Sequence, residues 1–232
     1  MKKTILITGA SSGIGKSCAQ IAVKHDLSVI ATARNSESLE QLLIMHQSIK
    51  IIVADISTET GREKIFDSIH KPIDFILHNA ALLQTPQKLV DLRLKDFRLN
   101  LATNAEPIIF LTQMLLKKLN LNARILSVSS GAAQQAIAGL GHYCISKAAA
   151  LMATEILKVE LQKSNILVNN FFPGVVDTRM QKTLRKAPRE VFPFVDTFQN
   201  YKKDDKLSAA NEIAIKILNL FLKTDCNEFL SL

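Results

Sequence analysis

The sequence predicts a single α/β domain over residues 1–232, built on a doubly wound parallel sheet with helices on both faces. Three observations predict it. Six short apolar runs recur along the chain, longer segments of helical period separate them, and a glycine-rich turn joins the first run to the first helix.

The runs are KTILITGA, LSVIATA, IKIIVADI, IDFILHNAA, ARILSVSS and ILVNNFFPG. Each is nearly continuous in apolar character, as strands covered on both faces must be. Helical patterns occupy GIGKSCAQIAVKHD, SESLEQLLIMH, TGREKIFDSIH, a long stretch from Leu94 to Leu119 and another from Tyr143 to Gln162. This alternation implies right-handed βαβ units. The spacing leaves no room for a linker or second core before Pro173, and no repeat or low-complexity tract interrupts it. Residues 179–207 are polar and basic and form an excursion with one or two short helices, ahead of a last helix SAANEIAIKILNLFLK. An excursion after the sixth strand lies at the carboxyl ends of the strands, where open α/β sheets bind ligands. It reads as a substrate lid or as a structural arm.

A chain of 232 residues, 47% hydrophobic, can bury a core without staples. Cys18, Cys144 and Cys226 are odd in number and far apart, which predicts neither a disulfide framework nor a metal site and fits a reducing compartment. The opening MKKTILITGASSGIG has two lysines, but its apolar run meets glycines rather than a cleavage site. No segment approaches the length of a membrane span. The expectation is a cytoplasmic protein with no membrane partner. The net charge of +8 is spread along the chain. Its densest cluster, RMQKTLRKAPR, carries Arg179, Lys182, Arg185, Lys186 and Arg189. It can attract anionic ligands, but it lacks the interleaved aromatics of a nucleic-acid stripe, so no nucleic-acid partner is expected.

Gly9, Gly13 and Gly15 fall within TGASSGIG, between the first strand and the first helix. Glycine allows a tight turn and close approach of backbone to a ligand. The helix N-terminus behind it offers free N–H groups and a positive dipole end for a pyrophosphate. Ser11, Ser12 and Ile14 share this turn. The spacing is Gly-x-x-x-Gly-x-Gly, wider than the usual dinucleotide fingerprint.

TGASSGIG resembles the TGxxxGxG motif of the short-chain dehydrogenase/reductase family. The resemblance runs in order along essentially the whole chain, through Asp55–Ile56, HNAA at 78–81, Asn100, the serines 129–130, YCISK and PGVVDT at 173–178. It implies a Rossmann-type fold and a nicotinamide cofactor. Asp55 and Ile56 then contact the adenine. Asn79, Ala80 and Ala81 match the family's NNAG, with His78 for its first Asn and Ala81 for its Gly; His78 reads as structural. Pro173 and Gly174 shape the turn beside the nicotinamide, where Val176 and Thr178 contact the carboxamide. The second strand ends in TARN. NAD-using relatives carry an acid where this chain has Ala33, and Arg34 follows. A guanidinium can bind the NADP phosphate bidentately, so NADP(H) is the expected cofactor.

Tyr143 has Lys147 four residues on, and Ser130 lies thirteen residues upstream, the family's catalytic spacing; Ser129 is the near alternative. Asn100 matches the asparagine of the family's tetrad, with Asn104 as a rival. Reduction of a carbonyl needs hydride on carbon and a proton on oxygen from a positioned acid. Tyr143 is the implied donor. Lys147, on the same helix face, is expected to lower its pKa from about 10 toward 7 and to bind the nicotinamide ribose. Ser130 holds the substrate oxygen, and Asn100 helps hold a relaying water. Cys144 points about 100° away.

Within the family the chain most resembles the branch of sepiapterin reductase and bacterial benzil reductase, through PGVVDTRMQ, the arm that follows and KLSAANEIAIKIL. This implies a small, fairly apolar ketone or vicinal diketone as substrate, or a pterin side-chain ketone. No acid near NEFLSL is assignable to a pterin. The family also implies a homodimer or homotetramer paired through helices around 94–119 and 143–162. A catalytically silent NADP-binding regulator is the alternative from another class; its signature is loss of the tyrosine, lysine or serine, and all are present.

Overall fold

In a computed structural model, residues 2–223 and 229 are described. Cys226 and the rest of NEFLSL lie outside them.

Six parallel strands form one sheet: β1 (Thr4–Thr8), β2 (Ser28–Ala33), β3 (Lys50–Val53), β4 (Ile73–His78), β5 (Leu119–Val128) and β6 (Leu167–Phe171). Their order is β3-β2-β1-β4-β5-β6, so winding reverses between β1 and β4. Crossovers from these two strands leave toward opposite edges, and a crevice opens at their carboxyl ends. β1 is wholly buried, as its unbroken apolar run requires.

Helices α1 (Gly13–Lys24), α2 (Ser36–Met45), α3 (Glu59–Ser68), α4 (Leu94–Asn104), α5 (Glu106–Leu115), α6 (Gly141–Leu161), α7 (Arg179–Leu184), α8 (Val195–Lys203) and α9 (Ala210–Leu222) follow. Local chemistry starts two of them. Asn35 Oδ1 accepts from Ser38 N at 2.7 Å, and Thr58 Oγ1 accepts from Gly61 N at 3.1 Å. Such caps each contribute about 1 kcal/mol. Two apolar layers sandwich the sheet. One joins β1 and β2 to α1 and α9 through residues such as Ile7, Cys18, Ile217 and Phe221; the other joins Leu6, Ile76 and Ile125 to Ile65 and Leu111.

Two features differ from the sequence reading. The stretch Leu94–Leu119 is not one helix: it breaks at Ala105 (φ −114°, ψ −50°). Pro107 has no N–H for Thr103 O, and Ile108 N turns instead to Ala105 O at 3.1 Å. The carbonyls of Thr103 and Asn104 thereby lose their helical donors. The excursion does contain two short helices, α7 and α8, and its two ends meet. Val176 pairs with Ser208 as an isolated parallel bridge, with Asp177 N donating to Ser208 O at 3.0 Å and Ser208 N to Val175 O at 2.9 Å.

Candidate active site

The crevice holds a cavity of about 690 Å³, within the size range of cofactor and ligand sites. Every residue expected at the cofactor and catalytic sites lines it, except Gly15 and Asn100.

The glycine turn is held by the end of β4. Thr8 Oγ1 accepts from the amides of Asn79 and Ala80, both at 3.0 Å. Asn79 Nδ2 donates to Thr8 O at 2.9 Å and Gly9 O at 3.2 Å. This explains two of the glycines. A Cβ on Gly9 (φ +67°) would lie 2.7 Å from Ala80 Cα, and one on Gly15 would lie 2.5 Å from Gly9 O and collide with Asn79 Nδ2. Gly15 therefore serves the turn's packing from behind, not its lining. A Cβ on Gly13 (φ +55°) would lie 3.4 Å from Thr178 Cγ2, and Gly131 and Gly174 have open space where a Cβ would be. No side chain caps the N-terminus of α1, so its N–H groups face the cavity with their dipole. A bare helix N-terminus, a glycine cradle and a cavity of this size fit a dinucleotide's pyrophosphate.

At the far end, Arg34 and Asp55 both line the cavity, with Arg34 Nη1 3.7 Å from Asp55 Oδ2. Asp55 Oδ1 accepts from Ser57 N at 2.9 Å and Ser57 Oγ at 2.7 Å. Arg34 is exposed. His78 lies outside this cavity; its Nε2 pairs with Thr112 Oγ1 at 2.9 Å, and burial pushes its pKa down to about 4. It is a neutral structural residue.

Tyr143, at the start of α6, lines the cavity with Ser130, near enough that the Ser130 hydroxyl favours its ionised form. Ser130 also accepts from Ala132 N at 3.2 Å. Ser129 lines the cavity, but its hydroxyl is buried without a partner among the described residues; it is Ser130 that acts on the phenol. Lys147 is buried one turn along, with Nζ donating to Val128 O at 2.6 Å. Burial pushes its pKa down to about 8. The expectation that Lys147 draws the Tyr143 pKa toward 7 is not met by the protein's own groups. Burial pushes the phenol up to about 12, against the lowering influence of Ser130. The phenol is thus held protonated at neutral pH.

The structure sets the two asparagines in different surroundings. Asn100 is fully buried and donates to Gln84 Oε1 and Asp96 O, away from the cavity. Asn104 accepts from Leu82 N at 2.6 Å and donates to Leu82 O at 3.0 Å and Ser146 Oγ at 2.8 Å. It lines a small void of about 10 Å³ shared with Thr103, Pro107 and Lys147, near the space of one water. Asn104 ends α4 beside the break at Ala105, and Asn100 lies a turn earlier in the helix. Pro107 was the available signal in the sequence.

The sequence marks the excursion 179–207 as a lid or arm but not the side chains that wall the cavity. Leu83, Ile137, Leu140, Leu184 and Phe198 give an apolar surface, and Arg179, Gln181 and Tyr201 bring polar groups from α7 and α8. Of the basic cluster, Arg185 lies 3.7 Å from Asp177 and Arg189 2.7 Å from Asp196; Arg179 is the member that lines the cavity. Cys144 packs into the apolar cluster with Leu184 and Phe192, and burial raises its pKa, so no thiolate forms beside the phenol. Among the described residues no group of His, Cys, Asp and Glu could hold a metal ion, and no helix is long and apolar enough to cross a membrane.

The family model for short chain dehydrogenases matches residues 3–189. The chain is 32% identical to L-xylulose reductase of Caenorhabditis elegans, over 85% of this chain and 86% of that protein. It is 28% identical to a benzil reductase ((S)-benzoin forming) of Bacillus cereus, over 93% and 92%. A short chain dehydrogenase from Burkholderia cenocepacia, crystallised with NADP, superimposes with a TM-score of 0.82 at 24% identity, over 94% of this chain and 90% of that one.

Proposed function

The chain belongs to the short chain dehydrogenase family of oxidoreductases, and on that premise we propose that it reduces a ketone or vicinal diketone to an alcohol with NADPH. The observation that carries this reading is the convergence of Ser130, Tyr143 and Lys147 on the same cavity as the glycine turn.

The α1 N-terminus and the backbone of Gly9–Gly13 would hold the cofactor's pyrophosphate. Arg34 would take the extra phosphate of NADPH, and Asp55 and Ile56 the adenine. Thr178, Val176 and Gly174 would flank the nicotinamide, which when bound supplies the hydride. The Ser130 hydroxyl orients the substrate oxygen, and Tyr143 Oη gives it a proton. A phenol of raised pKa is fully protonated near pH 7, as the reductive direction requires. Lys147 places a cation behind the phenol and can pass a proton toward it from the void beside Asn104. The arm 179–207 acts as a lid whose apolar wall excludes water from the transfer.

The substrate reading rests on that wall and on the likeness to a benzil reductase and an L-xylulose reductase; both named compounds carry oxygen on the carbon next to a carbonyl. An assembly of two or four copies would cover the apolar side chains exposed along α4, α5 and α6, among them Ile109, Phe110, Met152, Ile156 and Val159.

The test is NADPH oxidation with a panel of ketones and diketones, repeated with Tyr143→Phe. The variant should bind NADPH within about threefold of the parent but lose on the order of 10³ in kcat. Cofactor binding by the parent without turnover of any carbonyl would sink the reading and leave a silent NADP-binding protein.

A further inference from the structure

The densest basic run of the sequence, RMQKTLRKAPR, has no part in the proposed chemistry, and the structure sorts its five cations. Arg185 lies 3.7 Å from Asp177 and Arg189 2.7 Å from Asp196. Lys182 and Lys186 are exposed and lie outside the cavity lining. Arg179 is exposed as well, but it lines the cavity. Its guanidinium has no ion pair or hydrogen bond among the described residues. Asp177, the acid nearest to it in sequence, is already taken by Lys202 and Arg185.

The charges of the cavity make this cation stand out. Its charged lining residues are Arg34, Asp55, Lys147 and Arg179. Arg34 and Asp55 stand 3.7 Å apart, and Lys147 is tied to Val128 O. Arg179 alone of the four has no oxygen to hold. A guanidinium in a cleft draws anions and takes a carboxylate or phosphate through two parallel hydrogen bonds.

Two anions suit such a group, the pyrophosphate of the cofactor and a charged group of the substrate. The pyrophosphate already has the uncapped N-terminus of α1 and the glycine turn. Arg179 comes from the other side, on the helix that supplies the apolar wall. Leu184 of that helix is buried with Ala132 and Leu140, and Tyr143 and Phe198 pack against the same cluster. Thr183, one turn along from Arg179 and on its helix face, lines the cavity too. The cation therefore borders the compartment that the phenol borders.

We propose that Arg179 binds an anionic group of the substrate, so that the ketone reduced has an apolar body and a carboxylate or phosphate end. This rests on the carbonyl-reductase reading and narrows it. The wall takes the body and the guanidinium takes the charged end. An apolar wall by itself discriminates weakly between compounds that differ by one group; a site built to bond a charged group rejects the analogue that lacks it.

The experiment compares benzoylformate and 3-benzoylpropionate, which set the carboxylate at two distances from the ketone, each with its neutral methyl ester. The parent is set against Arg179→Met, which removes the charge, and Arg179→Lys, which keeps it. Comparing variant with parent at saturating NADPH cancels the intrinsic difference between acid and ester. The acid-to-ester ratio of kcat/KM should fall at least tenfold in Arg179→Met for one pair or both, mainly through KM for the acid, and Arg179→Lys should restore part of it. A ratio that holds in both pairs overturns the proposal. If the ratio holds while fluorescence titration shows NADPH bound tenfold more weakly, the guanidinium serves the pyrophosphate instead. A melting temperature within about 2 °C of the parent certifies the fold; if Arg179→Met fails that check, Arg179→Gln replaces it and is held to the same loss. If the parent turns over no carbonyl, the carbonyl-reductase reading fails separately. Calorimetric titration of the acids and esters into protein loaded with NADP then decides on Arg179. Tighter binding of an acid that Arg179→Met abolishes supports its role, and affinities that the substitution leaves unchanged overturn it.

Discussion

Lys147 Nζ donates at 2.6 Å to the carbonyl of Val128, the last residue of β5. A cation on α6 is thereby fastened to the strand that leads into Ser130, so the two halves of the proposed catalytic group share one anchor.

The first prediction follows from that buried cation. Lys147 has a folded pKa near 8 against an ordinary value of 10.5. Its charged form is penalised by folding, by about 3 kcal/mol at roughly 1.36 kcal/mol per unit. The penalty is full below pH 8 and fades as pH rises from 8 to 10.5. Lys147→Met should therefore raise the melting temperature near pH 7 while abolishing turnover. Calorimetry alongside activity checks it; a lower melting temperature would show that the bond to Val128 outweighs the burial of charge. In the parent, reductive kcat should decline above about pH 8 as the cation is lost.

A second prediction separates the asparagines. Asn104→Ala removes three hydrogen bonds to Leu82 and Ser146, costing about 2–3 kcal/mol of stability, and opens the void beside Lys147. It should lower kcat at least tenfold. Asn100→Ala loses bonds to Gln84 and Asp96 and should leave kcat within about threefold. The reverse ranking in steady-state assays would return the role to Asn100.

Arg34→Ala tests cofactor choice. A charge-assisted bond to phosphate is worth about 1.5–3 kcal/mol, so KM for NADPH should rise at least tenfold while KM for NADH changes little. Equal effects on both would place Arg34 in no phosphate site.

Gly15→Ala should abolish cofactor binding and destabilise the protein, because its methyl would lie 2.5 Å from Gly9 O with backbone that cannot yield. Ala at Gly131, where open space awaits a Cβ, should leave the melting temperature within about 2 °C. Thermal melts of the pair decide it.

These residues also show what a sequence can disclose. The glycine turn, Tyr143 with Lys147, and Ser130 with its fixed offset are legible because each is set by spacing within one element or across one short connection. The six strands are legible because burial on both faces leaves unbroken apolar runs. The placement of Asn104 is harder to read, since it sits beside a helix break that Pro107 causes from three residues away. The pKa of Tyr143 was not legible at all: it is decided by how completely the surrounding side chains exclude water. Gln181 and Leu184 stay hidden for a similar reason, as Leu184 of α7 meets Ala132, Leu140 and Cys144 only in the folded chain.

The bridge between Val176 and Ser208 has a consequence for how such a protein diversifies. Because the arm departs and returns at one paired point, with Asp177 holding Lys202 at 2.9 Å, its interior can change length or composition without shifting the strand ends below. On the proposed function, the hydride machinery and the substrate wall can then be inherited separately, one constant and the other a replaceable cassette.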